Sequence, residues 1–333
     1  MYESVRIIYG PTGGRFTFLS GVIDAFEHHL AEAGIRILDR VGVSGGALSA
    51  AIKASGEDFP QWLKRASSYR DNISMDNSAT KKALCAWNLL TSGGMLKSSV
   101  VLDGMFRKIA PGPPVDKDCW AVSWCKSSSQ GVAFRLGIDM DIGLCLLASC
   151  AMPVAFSPVK IKNSDLPFRI RLELGLTDLH AYSIFRDGGL YPGFPGNLTG
   201  INDYAPTIVI NLDSASPSEG SLFTKLCYGV IKSKQLDGIN EASQLRPIDV
   251  VNINVPPKVD EYAAKFDLTE EEGMWQYRLG LRAGEEAAIN YFEKKAADVH
   301  QLYHLETQEP ECQPGSSQQH LSSCDEQHQS NTP

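Results

Sequence analysis

A serine flanked by glycines, Gly42-Val43-Ser44-Gly45-Gly46, follows the apolar stretch 35–41 and precedes the helix-favouring run 47–54. This G-x-S-x-G layout puts a hydroxyl on a sharp strand-to-helix turn. Glycines at 42 and 46 let so tight a turn form without Cβ clashes, and the new helix aims its N-terminal amides and partial positive charge at the reacting oxygen. A free serine is a poor nucleophile until a base takes its proton and the developing oxyanion is stabilised. On the five residues alone, a glycine-rich turn with an incidental serine fits as well.

Two further segments supply what Ser44 lacks. Gly13-Gly14-Arg15 lies between the strand pattern 5–9 and an amphipathic run in which Leu19, Val22, Ile23, Phe26 and Leu30 recur at helical spacing. Backbone N–H groups in such a turn can bind an oxyanion. A plain turn and a phosphate cradle are the other readings, but no G-x-x-x-x-G-K-[ST] or complete G-x-G-x-x-G is present, so nucleotide binding is unsupported. Asp187-Gly188-Gly189 follows the strand pattern 182–186, and its glycines allow the chain to turn directly after the carboxylate. Alone, it is a common turn.

In this order and spacing, the three segments resemble the patatin-like phospholipase family, and Ala148-Ser149-Cys150-Ala151-Met152-Pro153 is similar to that family's Ala-Ser-x-Ala-x-Pro segment. The resemblance spans residues 5–211 and extends weakly to the helix 269–296. It implies a three-layer α/β/α sandwich with a mostly parallel central sheet. It further implies that Ser44 is the nucleophile, that Asp187 is its direct base without a histidine, and that the Thr12, Gly13 and Gly14 amides form the oxyanion hole. Arg15, Gly42, Gly45, Gly46, Gly188 and Gly189 are supporting residues, and no metal or cofactor is expected.

The histidines agree, since only His180 of the seven lies near a motif. An ordinary α/β-hydrolase places its elbow after several strands and its histidine after the acid, and this chain does neither. An aspartate near its usual pKa of ~3.9 is a weak base for a hydroxyl, so desolvation of Asp187 is required to raise its basicity. One departure concerns the first motif, where the family has a run of three glycines and this chain reads Pro11-Thr12-Gly13-Gly14-Arg15-Phe16. Pro11 has no N–H to donate. Arg15 lends positive charge beside the hole or salt-bridges an acid.

The function expected is a phospholipase A or lysophospholipase activity through an acyl-enzyme on Ser44. The alternatives are a catalytically weak lipid-binding protein whose first loop has drifted, and an esterase for small acyl esters. Partners expected are a phospholipid or lysophospholipid, transient contact with a membrane surface and an activating protein.

The net charge of −8 argues against nucleic-acid binding and against general attraction to anionic membranes. Lys53, Lys64, Arg65, Arg70, Lys81 and Lys82 form a local basic cluster, either a headgroup contact or a solvated helix face. No signal peptide and no apolar run long enough to cross a bilayer is visible, so a soluble cytoplasmic protein is expected, with export without a cleavable signal left open. The eight cysteines form no CxxC pair; the six in the domain read as free thiols in a reducing cytosol, and Cys312 and Cys324, in the tail, as exposed ones.

Of the other elements, 60–110 reads as a mainly helical excursion, a candidate cap, whose Trp62, Trp87, Leu89, Leu90, Met95 and Leu96 either line an acyl channel or pack on the sheet. Strands are expected at 120–124, 132–138, 207–211 and 250–255. Asp141 reads as the N-cap of a helix from Ile142 rather than as a metal ligand with Asp139. Thr269-Glu270-Glu271-Glu272 makes a capping box for a helix from Glu270 to about Ala297. The catalytic domain is expected over 1–298, and 299–333 as a polar, disordered tail.

Overall fold

The structure is a computed structural model that describes residues 2–69, 79–109, 112–198, 200–201, 205–213, 238–244, 246–262 and 268–307. It divides into two compact units, Met1–Tyr291 and Phe292–Pro333. In the second, residues 292–307 are helical and the remainder lies outside the described residues, as does most of the expected tail.

The first unit is built on an eight-stranded sheet. Its strands are β1 (Ser4–Tyr9), β2 (Arg36–Val43), β4 (Cys119–Cys125), β5 (Gln130–Arg135), β7 (Val159–Lys162), β8 (Tyr182–Asp187), β9 (Thr207–Asp213) and β10 (Ile248–Asn254). They run in the order β10-β9-β1-β2-β4-β8-β7, with β5 also on β4. The block β10-β9-β1-β2-β4 is parallel throughout, and β5 and β8 run antiparallel to β4. A separate pair joins β3 (Gly94–Leu96) to β6 (Val154–Phe156).

Helices cover both faces, and a short one, α8 (Phe168–Glu173), comes between β7 and β8 in the chain. Ile8, Val41, Val43, Trp120, Val122 and Val209 pack against Phe194, Leu198, Ile201 and Ala242, the last from the helical residues 238–243 (α9). On the opposite face lie α1 (Phe16–Glu32), α2 (Gly45–Ser55), α7 (Ile142–Ser149) and, as far as Tyr291, α11 (Glu270–Thr307). The result is the three-layer α/β/α sandwich. α1 and α11 touch backbone to backbone: a Cβ on Gly21 would collide with the Tyr277 carbonyl, and one on Gly280 with the Phe18 carbonyl.

A buried polar network ties the α1–α2 face to the two central strands. The Tyr9 hydroxyl donates to Glu27, which also receives Arg40 at 3.0 Å and Lys53 at 3.2 Å. Burial pushes the Glu27 carboxyl up, but Lys53 and Arg40 outweigh it and hold the group below its ordinary range.

Caps fall where the sequence places them. Asp141 accepts from Leu144 N at 3.0 Å, and Thr269 and Glu272 exchange the reciprocal bonds of a capping box at 3.1 and 2.9 Å. α11 runs on to Thr307 rather than stopping near Ala297, since no Gly or Pro lies between Ala297 and Pro310. The second expected strand after the excursion ends at Arg135 instead of Ile138, because Gly137 takes a left-handed φ of 67°.

The excursion is helical at α3 (Phe59–Ser67), α4 (Ala79–Ser92), α5 (Ser98–Val101) and α6 (Arg107–Ile109), with a π-helical stretch at Leu102–Phe106. Trp62 packs edge-on against Phe16. Trp87 and Leu90 do neither of the things expected of them: they are 63% and 83% exposed and face outward on α4, with Leu84 beside them. Of the expected basic cluster, Lys53 pairs with Asp24 and Glu27 and Arg65 with Glu57, while Lys64 is exposed. Arg70 and the side chains of Lys81 and Lys82 lie outside the described residues.

Candidate active site

The edge of β4 passes from one neighbour to another between consecutive residues. Val122 pairs with Val43, the last residue of β2, and Ser123 pairs with Asp187, the last residue of β8. Where β2 turns off into α2, β8 takes its place. The residue after Val43 therefore meets Asp187: Ser44 Oγ donates to Asp187 Oδ2 at 2.7 Å.

Ser44 holds φ 53° and ψ −120°, a conformation that side chains rarely adopt and that lifts the hydroxyl off the strand. Three contacts hold it there. Ser44 N donates to Ser149 Oγ at 3.1 Å, Ser149 Oγ donates to the Val122 carbonyl at 2.5 Å, and Cys150 Sγ donates to the Ser44 carbonyl at 3.1 Å. The sequence signals the segment around Ser149 but not this bracing role.

Asp187 is wholly buried. Burial pushes its carboxyl up to about 6, against the opposing effect of hydrogen bonds from Ser44 and from Gly189 N, the latter at 2.8 Å on Oδ1. Gly188 lies so close to the Val122 carbonyl that no Cβ fits. His180 is exposed and its backbone bonds Asp178, away from the dyad.

The loop after β1 lies against the elbow. Gly13, at φ 57°, opens a 3-10 turn, Gly13–Arg15, and a Cβ on Gly45 would stand 2.6 Å from the Gly13 carbonyl oxygen and 2.8 Å from its nitrogen. Gly42 and Gly46 are equally closed in, by Ala47 and by the Tyr9 and Gly10 carbonyls. The Thr12 hydroxyl is buried without a hydrogen-bond partner among the described residues. Arg15 is 2% exposed and bridges to Asp260.

A narrow apolar cavity borders the elbow, lined by Phe16, Leu48, Val101, Met105, Phe106, Cys150 and Phe156. At about 10 Å³ it has room for one water-sized group. The excursion thus contributes Val101, Met105 and Phe106 to the cavity, not Trp62, Trp87 or the leucines of α4. Among the described residues no cluster of metal-ligating side chains is present.

A search of the curated proteins finds no match. Among solved structures, VipD from Legionella pneumophila is similar at 12% identity and a TM-score of 0.38, covering 83% of this chain and 67% of its own. The type III effector protein ExoU is similar at 14% identity and a TM-score of 0.34, covering 86% of this chain and 53% of its own. ExoU in complex with SpcU, from the type III secretion system of Pseudomonas aeruginosa, is similar at 12% identity and a TM-score of 0.28. This chain spans about half the length of those ExoU chains. The family model for patatin-like phospholipase matches residues 12–196, which hold the 12–14 loop, Ser44 and Asp187. The chain belongs to the patatin-like phospholipase family.

Proposed function

We propose that this protein is a lipid acyl hydrolase of the phospholipase A or lysophospholipase type, working through a Ser44-Asp187 dyad. The observation that carries this reading is the 2.7 Å hydrogen bond from Ser44 Oγ to a wholly buried carboxylate, with the serine on a strained elbow. As Oγ attacks the ester carbonyl carbon, its proton passes to Asp187 Oδ2. The carbonyl oxygen takes the negative charge and is met by amides of Thr12, Gly13 and Gly14. Collapse expels the alcohol, which takes the proton from Asp187, and leaves the acyl group on Ser44. Asp187 then accepts a proton from water as the water attacks, and a second collapse frees the fatty acid and returns the proton to Ser44.

The raised pKa of Asp187 suits this role, because a base near the working pH transfers protons in both directions. No described helix is long and apolar enough to cross a membrane, so substrate in a bilayer is met from the surface. The outward Leu84, Trp87 and Leu90 of α4 supply apolar side chains for that contact. Hydrolysis of short acyl esters is the second reading, and the small cavity beside the elbow holds only one water-sized group, so a long acyl chain requires the larger movement of the segment 101–106.

Labelling with a fluorophosphonate, read by intact mass, tests the dyad alongside fatty-acid release from mixed phospholipid vesicles. A single adduct that disappears in Ser44→Ala, with release lost in both Ser44→Ala and Asp187→Asn, is the expected result. Absence of both adduct and release in the wild type would overturn the reading. Turnover confined to short soluble esters would favour the second one.

A further inference from the structure

The loop that carries Thr12, Gly13 and Gly14 is fastened by a residue far outside the segment the family pattern covers. Arg15 directs Nε at the Thr12 carbonyl, 3.1 Å away, and its backbone N–H reaches the same oxygen at 3.3 Å. Its Nη1 donates to Asp260 Oδ1 at 2.5 Å. Asp260 ends the short helix α10 (Pro257–Asp260), which follows β10, two strands away from β1 in the sheet. Both side chains are withdrawn from solvent, at 2% and 11% exposure.

We propose that Asp260 is a positioning residue for the reaction at Ser44, acting through Arg15 on the orientation of the Thr12–Gly13 peptide. The inference rests on the hydrolase reading above. In a planar trans peptide the carbonyl and the following N–H point in opposite directions. Two donors on the Thr12 oxygen therefore fix the direction of the Gly13 N–H. The fixing matters because Gly13 has no Cβ to restrain it, and a peptide flip at a glycine of positive φ meets little steric resistance. The nitrogen so fixed is the one that packs beside Gly45, next to the nucleophile.

Asp260 supplies a carboxylate that draws the guanidinium inward. A buried cation deprived of its carboxylate is drawn toward water, and Arg15 turning outward would release the Thr12 oxygen. The loss is then one of a preorganised oxyanion donor, with little change in substrate affinity. Removing one such donor costs roughly 10²-fold or more in kcat, and misdirecting one through a mobile loop is expected to cost ~10- to 100-fold.

The test compares wild type, Asp260→Asn, Asp260→Glu, Arg15→Lys and the double variant Arg15→Lys/Asp260→Asn, using a soluble ester for kcat and KM and hydrogen–deuterium exchange of residues 10–16 for the loop. Asp260→Asn is expected to lower kcat ~10- to 100-fold with KM little changed at a temperature where the variant remains folded, to speed exchange across residues 10–16, and to be partly rescued by Asp260→Glu. The double variant is expected to be no worse than the poorer single one. Unchanged loop exchange in Asp260→Asn would overturn the proposal, as would losses in kcat that multiply in the double variant. If wild type neither takes up fluorophosphonate nor turns over ester, the hydrolase reading fails on its own, and loop exchange in Asp260→Asn still decides whether Asp260 holds the loop.

Discussion

Ser44 and Asp187, 143 residues apart in the chain, share a hydrogen bond of 2.7 Å because one strand, β4, pairs with β2 up to Val122 and with β8 from Ser123 onward. The pairing is thus a product of sheet register, and the proposed dyad chemistry rests on burial of the carboxylate.

Activity and stability are expected to respond to pH in opposite senses. Folded Asp187 keeps its proton up to about 6, whereas an unfolded aspartate loses it near ~4. Its contribution to stability is therefore greatest below that window and falls as pH rises through it, by on the order of 3 kcal/mol, while kcat/KM rises through the same window as the base ionises. Asp187→Asn removes both trends: it should be inactive by ~10³-fold or more and, above the window, more stable than wild type by about 1–3 kcal/mol. Denaturant midpoints across pH check this, and a variant less stable than wild type above the window would refute the desolvation argument.

Ser149→Ala is expected to cost about 1–3 kcal/mol, because the Ser44 N–H and the Val122 carbonyl both lose a buried partner. The same change frees the elbow, so kcat should fall while KM holds. Urea denaturation with steady-state kinetics reads both. A loss of stability with unchanged kcat would show that the brace serves the fold alone.

Gly45→Ala places a methyl group against the Thr12 side chain and the Gly13 backbone. Neither backbone can yield cheaply, so loop and elbow must separate, and fluorophosphonate labelling of Ser44 should slow ~10²-fold or more. Labelling at the wild-type rate would mean that the oxyanion loop does not sit against the elbow.

The contact between α1 and α11 makes a prediction remote from the site. Gly280→Ala drives a methyl into the Phe18 carbonyl, and overpacking of this kind costs typically ~1–3 kcal/mol. Thermal unfolding should show a lowered Tm with kcat retained below the transition. An unaltered Tm would indicate that the helices slide apart freely.

Trp87 and Leu90 are exposed on α4, and in the proposed function they meet the lipid surface. Trp87→Ala/Leu90→Glu should lower fatty-acid release from vesicles ~10-fold or more while leaving hydrolysis of a soluble ester unchanged. Equal effects on both substrates would place α4 in the catalytic fold rather than at the lipid surface.

Much of the architecture is legible in the chain because its signals are local. Asp141 and Thr269 cap the helices that follow them, since a cap depends on a few neighbouring residues. The elbow too is written in consecutive residues. Short elements without a periodic signal, such as β3, β6 and β7, escape because pairing with distant strands defines them. Trp87 and Leu90 mislead, because an apolar residue's destination depends on what lies opposite it and nothing in the described fold covers α4's outer face.

The sequence alone determined the order of strand, loop, elbow and acid, along with the family to which that order points. Those features arise from glycine conformational freedom, helix capping and hydrophobic period, each readable within a few residues. Tertiary structure decided the rest: the exchange of partners on β4 that joins Asp187 to Ser44, the burial that raises the aspartate's basicity, the Ser149 brace and the reach of Asp260 to Arg15. Each depends on residues brought together from distant parts of the chain, where local pattern carries no information about register or depth.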